Sequence, residues 1–83
     1  MLDVKEAAQK ASEYFAALYA DQGVSKVQLE EVELTDDGQY WLITLSYPMV
    51  PAIVSFPPKR QYKVFKIDAK TGEVKSMKIR KVD

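Results

Sequence analysis

Residues 39–47, QYWLITLSY, decide the fold, because they form the strongest strand signal in the chain. The segment is rich in aromatic and β-branched residues, which favour the half-buried surface of a sheet. Successive side chains of a strand point to opposite faces, so the segment presents two sets of side chains. The bulkier and more apolar set, which we expect to face the hydrophobic core, comprises Trp41, Ile43, Leu45 and Tyr47. The opposite face carries Tyr40, Leu42, Thr44 and Ser46.

Two β-hairpins are predicted, and this strand belongs to the first of them. Residues 26–34 alternate in the same way, and the turn 35–38, TDDG, ends in a glycine that can adopt a positive φ. The Glu30–Glu31 doublet shifts the alternation by one residue, which predicts either a β-bulge or a strand partly covered on both faces. Residues 61–68 and 73–82 flank the turn 69–72, AKTG, and predict the second hairpin, with Gly72 in the left-handed position.

An amphipathic helix is predicted over residues 4–20. Asp3 is the expected N-cap, Glu6 follows it at the spacing of a capping box, and Gly23 is the expected stop. The residues expected on its buried face are Ala8, Ala11, Phe15 and Leu18. The pattern therefore predicts one α+β domain over residues 1–83, in which an N-terminal helix packs on a four-stranded antiparallel sheet made of two β-hairpins, in the order α-β-β-β-β.

The composition argues against catalysis. The chain has 83 residues, of which 47% are hydrophobic and 11% aromatic, as in a globular domain. It contains no cysteine and no histidine, which removes thiolate and imidazole chemistry and most zinc, copper and haem sites. No nucleophile motif and no glycine-rich phosphate loop is present. We expect no enzymatic activity, no metal and no cofactor.

Two targeting signals are absent from the sequence. No apolar run approaches the roughly 20 residues of a membrane-spanning helix. No basic segment followed by an apolar stretch opens the chain, so we expect no signal peptide in it. These features leave the compartment open.

The charge is distributed unevenly along the chain. Residues 1–58 hold nine acidic and three basic residues, whereas residues 59–83 hold three acidic and nine basic ones. Such asymmetry can indicate a tail that binds nucleic acid or a membrane. We favour a second interpretation, in which the acidic and basic halves pair across the sheet, because the basic residues alternate with apolar ones as in a strand.

One candidate binding surface is the face of the sheet that points away from the helix. Aromatic and basic side chains are interleaved there, an arrangement that can stack on and neutralise a single-stranded nucleic acid or contact a protein. We expect Glu30 and Glu33 to lie near its cations. The predicted members are Tyr40, Leu42, Tyr62, Val64, Lys66, Lys78 and Arg80.

A second candidate is the connection between the hairpins, residues 48–58, PMVPAIVSFPP, which is uncharged and contains all four prolines. It can fold back as part of the core, present apolar anchors to a partner, or contact a second copy of the chain. The residues of this candidate binding loop are Met49, Val50, Ile53, Val54 and Phe56.

The chain resembles the PepSY domain family in its cystatin-like α+β form. The alanine-rich helix (Ala7, Ala8, Ala11), Gly23 and the segment VELTDDGQYW carry part of the likeness. The clearest part is YKVFKIDAKTGEV, residues 62–74, whose last eight residues match the family's closing signature. The resemblance implies a small non-catalytic module of metallopeptidase propeptides and cell-envelope proteins. The sequence departs from the family at residues 48–58, where a short polar gap is usual.

We therefore predict a non-catalytic protein-binding module, whose partner the resemblance implies to be a peptidase or a cell-envelope protein. By resemblance, its location would be secreted or in the cell envelope. A self-associating structural domain without a distinct ligand is the alternative. Binding of single-stranded nucleic acid ranks third, because the net charge is zero and no RRM-type motif is present.

Overall fold

The computed structural model describes residues 1–20, 26–48 and 60–81. These residues form one helix and four strands: α1 (Val4–Leu18), β1 (Gln28–Leu34), β2 (Tyr40–Pro48), β3 (Arg60–Asp68) and β4 (Val74–Arg80). The strands form one antiparallel sheet in the order β1-β2-β3-β4, and α1 packs on one of its faces. The α+β architecture expected from the sequence is confirmed.

Helix α1 begins at the predicted capping box. The Glu6 N–H donates to Asp3 Oδ1 at 2.8 Å, and the Asp3 N–H donates to Glu6 Oε1 at 3.0 Å. These two bonds satisfy backbone donors that have no partner within the helix. The helix ends at Leu18 with Tyr19 as its C-cap, two residues before the predicted end. The expected stop, Gly23, lies outside the described residues.

The buried stripe of α1 differs in part from the predicted one. Ala7, Ala11 and Phe15 are buried, so the stripe advances in steps of four residues. The next step brings Tyr19 against the core, where its ring stacks on Phe15 at a centroid distance of 4.5 Å. Leu18, predicted to be buried, is 48% exposed.

The sheet contributes the residues predicted for its inner face. Ile43 and Leu45 of β2 are buried, and Trp41 and Tyr47 are partly buried against the same cluster. Their neighbours in the core are Phe65 and Ile67 of β3. Full burial of each large apolar side chain contributes about 1.5–3 kcal/mol. Burial of these side chains is therefore the main contribution to the packing of α1 on the sheet.

Both hairpins have the expected turns. Gly38 and Gly72 have φ values of 71° and 79°, in the left-handed region that favours glycine. Gly72 is also buried, and a Cβ placed on it would lie 3.1 Å from Leu2 Cδ1. The N-terminal segment therefore packs against the second turn, and the Leu2 N–H donates to the Ala69 carbonyl at 2.7 Å.

The strands differ from the predicted ones mainly at their ends. The predicted bulge is present, because the β1–β2 register shifts between Leu29 and Glu31. Strand β2 reaches Pro48, which pairs with Arg60 at the start of β3, one residue beyond the predicted ends. In the part of the chain that is described, no helix is long and apolar enough to cross a membrane.

Candidate binding surfaces

The open face of the sheet brings together the seven residues proposed for it. Strand β2 pairs with β3, and β3 pairs with β4, in a register that places these side chains opposite the buried core residues. The aromatic and aliphatic members are half-buried, whereas the two basic residues of β4 are exposed. The seven residues are Tyr40, Leu42, Tyr62, Val64, Lys66, Lys78 and Arg80.

Arg80 links the basic and acidic strands across this face. Its Nη1 donates to Thr44 Oγ1 on β2 at 3.2 Å and forms an ion pair with Glu31 Oε1 on β1. The expectation that opposite charges pair across the sheet holds for this contact. The acid in this ion pair is Glu31, because the bulge shifts the alternation and sets Glu31 opposite Thr44. Glu33, expected near the cations of this face, lines the same small pocket as Arg80. Both charged side chains are partly exposed, so the pair contributes little stability, about 0.2–1 kcal/mol.

Two more cations are already engaged within the sheet. Lys66 Nζ lies 4.2 Å from the ring centroid of Tyr40, in a cation–π contact. Arg60 Nε donates to Ser46 Oγ at 2.9 Å, and Ser46 Oγ donates to Glu30 Oε2 at 2.5 Å. These contacts leave fewer free cations for a phosphate backbone than the sequence suggested.

Arg60 was not among the predicted site residues. Its Nη2 donates to the Lys26 carbonyl at 2.9 Å and to the Ser46 carbonyl at 3.1 Å, so it joins β3 to β2 and to the segment that precedes β1. This role depends on the register that sets β1, β2 and β3 side by side. The sequence signal was limited to a basic residue next to the proline-rich connection.

The candidate loop residues Met49, Val50, Ile53, Val54 and Phe56 lie outside the described residues. Their assignment as a binding loop stays a prediction.

The structure contains a groove between α1 and β1 that sequence reasoning missed. It has a volume of about 680 Å³ and no acidic or basic side chain among its described lining residues. On β1 its wall is formed by Leu29, preceded by Val27, and these side chains are 51% and 38% exposed. The lining residues are Ala8, Gln9, Ser12, Phe15, Ala16, Tyr19, Ala20, Val27, Leu29 and Leu45.

The groove exists because α1 lies over β2 and β3, so that Val32 of β1 packs against the core while Leu29, on the same face of β1, stays exposed among the described residues. The buried core residues of the sheet come from β2 and β3, whereas six of the seven residues of β1 are exposed. The alternation of Val27 and Leu29 predicted which way these side chains point. It carried no information on how far the helix would extend over them.

The two carboxylates whose pKa values are clearly lowered lie at the hairpin turns. Hydrogen bonds from the Thr35 hydroxyl and the Gln39 N–H lower the pKa of Asp37, and the backbone N–H groups of Thr71 and Lys70 lower the pKa of Asp68. Both carboxylates thus stabilise hairpin turns. Among the described residues, no group of three or more acidic side chains could hold a metal ion.

Burial raises the pKa of Tyr47, with a smaller contribution from neighbouring Tyr19. The two rings lie 6.0 Å apart within the aromatic cluster around Phe15. The shift therefore reflects core packing at the end of α1.

Comparisons with known proteins found no match to a family model, to a curated protein or to a solved structure. The PepSY resemblance therefore stays a prediction based on the sequence motifs.

Proposed function

We propose that this chain is a non-catalytic protein-binding module that holds a polypeptide partner in the groove between α1 and β1. The observation that carries the proposal is the exposure of Val27 and Leu29 along a groove of about 680 Å³ whose described lining residues carry no charge. Apolar side chains exposed singly are normal on a protein surface. Apolar side chains gathered along a concave surface are typical of an interaction site.

The lining chemistry supports binding rather than catalysis. On the helix side, the groove is lined by small residues such as Ala8 and Ala16, whose short side chains leave space in it. The buried side chains of Phe15 and Leu45 form its apolar floor. The groove therefore has room for apolar side chains of a partner, and its described lining residues offer no acidic or basic group to activate a substrate. The sequence resemblance extends the proposal to a peptidase or a cell-envelope protein as the partner.

Self-association is the second candidate, and one observation favours it. Ile79 on β4 is 68% exposed, and Leu29 on β1 is 51% exposed, so both edge strands carry an exposed apolar side chain. Nucleic-acid binding on the open face ranks below it, because Lys66 and Arg80 already make contacts within the sheet.

The test is a selection from a random peptide library against the immobilised full chain. Leu29→Asp places a charge on the groove wall, and Ala16→Glu fills the groove from an exposed position on the helix. Ile79→Asp makes the same kind of change on the opposite edge strand and serves as the matched control. Circular dichroism verifies that each variant is folded.

We expect selected peptides to bind the wild type and Ile79→Asp equally and to lose at least about tenfold in affinity for both groove variants, equivalent to about 1.4 kcal/mol. No enrichment of binders, or equal binding to the groove variants, would refute the proposal.

A further inference from the structure

We infer that the occupant of this groove is a cationic, extended segment of a partner protein that adds to β1 as a fifth strand. The inference rests on the proposed function and deepens it by naming the chemistry of the bound segment. It combines three properties of β1: an edge position, two faces of different chemistry and an unbalanced local charge.

The first property is the edge position. Among the described residues, β1 has a single strand neighbour, β2. An edge strand presents a row of backbone N–H and C=O groups that a further strand can pair with. Such pairing supplies main-chain hydrogen bonds, and the alternate side chains of the added strand supply specificity.

The second property is the asymmetry of the two faces of β1. Leu29 and Leu34 pair with Leu45 and Trp41 and therefore point to the helix side, where Leu29 lines the groove. Glu31 and Glu33 pair with Thr44 and Leu42 and point to the open face. A strand laid beside β1 would meet apolar side chains on one face and carboxylates on the other.

The third property is an unbalanced local charge. Strand β2 contains no charged residue, so the acids of β1 have no cation on their nearest strand. Glu31 reaches Arg80 on the far strand, whereas Glu33 is exposed and has no ion pair within the described part of the chain. A segment that alternates lysine or arginine with apolar residues would place its basic side chains beside the carboxylates of β1 and its apolar side chains beside Leu29 and Leu34.

The contact would be weak and salt-dependent. One added strand buries less than the ~1,000 Å² usual for a stable protein–protein interface, which places it in the transient class. We therefore expect a dissociation constant on the order of 10–100 μM. Raising the ionic strength weakens the charge contribution.

The test uses three synthetic peptides with blocked ends and the ¹⁵N-labelled full chain. The first peptide alternates lysine with valine over eight residues, the second replaces each lysine with glutamate, and the third replaces each valine with serine. Chemical-shift changes in two-dimensional amide spectra report both the affinity and the strand that is contacted. We expect the lysine–valine peptide alone to bind, with its largest shifts in Gln28–Leu34.

Two charge reversals of equal size provide the matched comparison. Glu33→Lys removes a carboxylate from β1, whereas Glu13→Lys makes the same change at an exposed position of α1 that does not line the groove. We expect Glu33→Lys to weaken binding roughly three- to tenfold and Glu13→Lys to weaken it by less than about twofold.

Each of several results would overturn the inference: equal binding of the glutamate peptide, equal binding of the serine peptide, shifts centred on β4, or equal effects of the two reversals. Shifts in β1 that depend on protein concentration without peptide would identify a second copy as the occupant and would also overturn it. If library peptides bind the groove but the lysine–valine peptide does not, this inference fails and the proposed function stands.

Discussion

Truncating Phe15 to alanine removes the side chain that joins α1 to the sheet. Phe15 is 2% exposed, and its ring lies 4.5 Å from that of Tyr19, 5.0 Å from that of Tyr47 and 6.3 Å from that of Phe65, measured between centroids. Replacement of a buried phenylalanine by alanine costs about 3–5 kcal/mol, because it combines lost burial with a cavity. We expect Phe15→Ala to lower the free energy of unfolding by this amount.

Leu18 and Tyr19 provide the internal comparison. Leu18 is 48% exposed, so it retains roughly half of the 1.5–3 kcal/mol that full burial contributes, and Leu18→Ala should cost about 1 kcal/mol. Tyr19 is half-buried and its ring contacts those of Phe15 and Tyr47, so Tyr19→Ala should cost about 2 kcal/mol. The expected order of destabilisation is Phe15→Ala, then Tyr19→Ala, then Leu18→Ala.

Urea unfolding, followed by circular dichroism and the fluorescence of Trp41, measures these differences. A domain of 83 residues has a total stability of about 4–12 kcal/mol. Phe15→Ala can therefore unfold the chain outright, in which case Phe15→Leu, at about 1–2 kcal/mol, gives a measurable value. If Leu18→Ala destabilises the chain as much as Phe15→Ala, the buried stripe that includes Tyr19 is wrong.

Three further predictions concern the turns and the helix cap. Gly72→Ala should destabilise the chain by about 1–2 kcal/mol, and by more than Gly38→Ala. Both glycines have a positive φ, but only Gly72 has a neighbouring side chain close to the position of an added Cβ. Equal melting temperatures of the two variants would contradict this. Asp3→Ala should cost about 1 kcal/mol by removing the N-cap, while Asp3→Asn should cost less; thermal unfolding separates the two variants. The pKa of Asp68 is lowered from 3.8, so its carboxylate stabilises the fold above that pH and loses this effect as the pH falls through the lower folded-state pKa. The difference in melting temperature between wild type and Asp68→Asn should therefore shrink as the pH is lowered below 3.8. A difference that stays constant through this range would show that Asp68 acts without its charge.

The local elements of this protein could be predicted from sequence because each depends on neighbours in the chain. The capping box of Asp3 and Glu6, the positive φ of Gly38 and Gly72, and the bulge near Glu30 are all confirmed. Each follows from backbone sterics or from hydrogen bonds that span only a few residues.

The open face was predicted for a similar reason. Alternation along a strand assigns each side chain to a face, and the antiparallel pairing then gathers these residues on one surface. The contacts on that face were less predictable. The reach of Arg80 to Glu31 depends on the order of all four strands and on the bulge, which sets Glu31 opposite Thr44.

The sequence by itself determined the α-β-β-β-β order and the inner face of β2, because periodicity and turn chemistry are local properties. The unequal charge of the two halves can be read directly from the sequence. The tertiary structure decided where the helix axis lies on the sheet. That position packs Tyr19 rather than Leu18 against the core and leaves Leu29, on the inner side of β1, exposed among the described residues. The placement is set by the packing of the aromatic rings around Phe15, which come from three separate elements. The candidate groove is a consequence of that packing, which no single stretch of the sequence encodes.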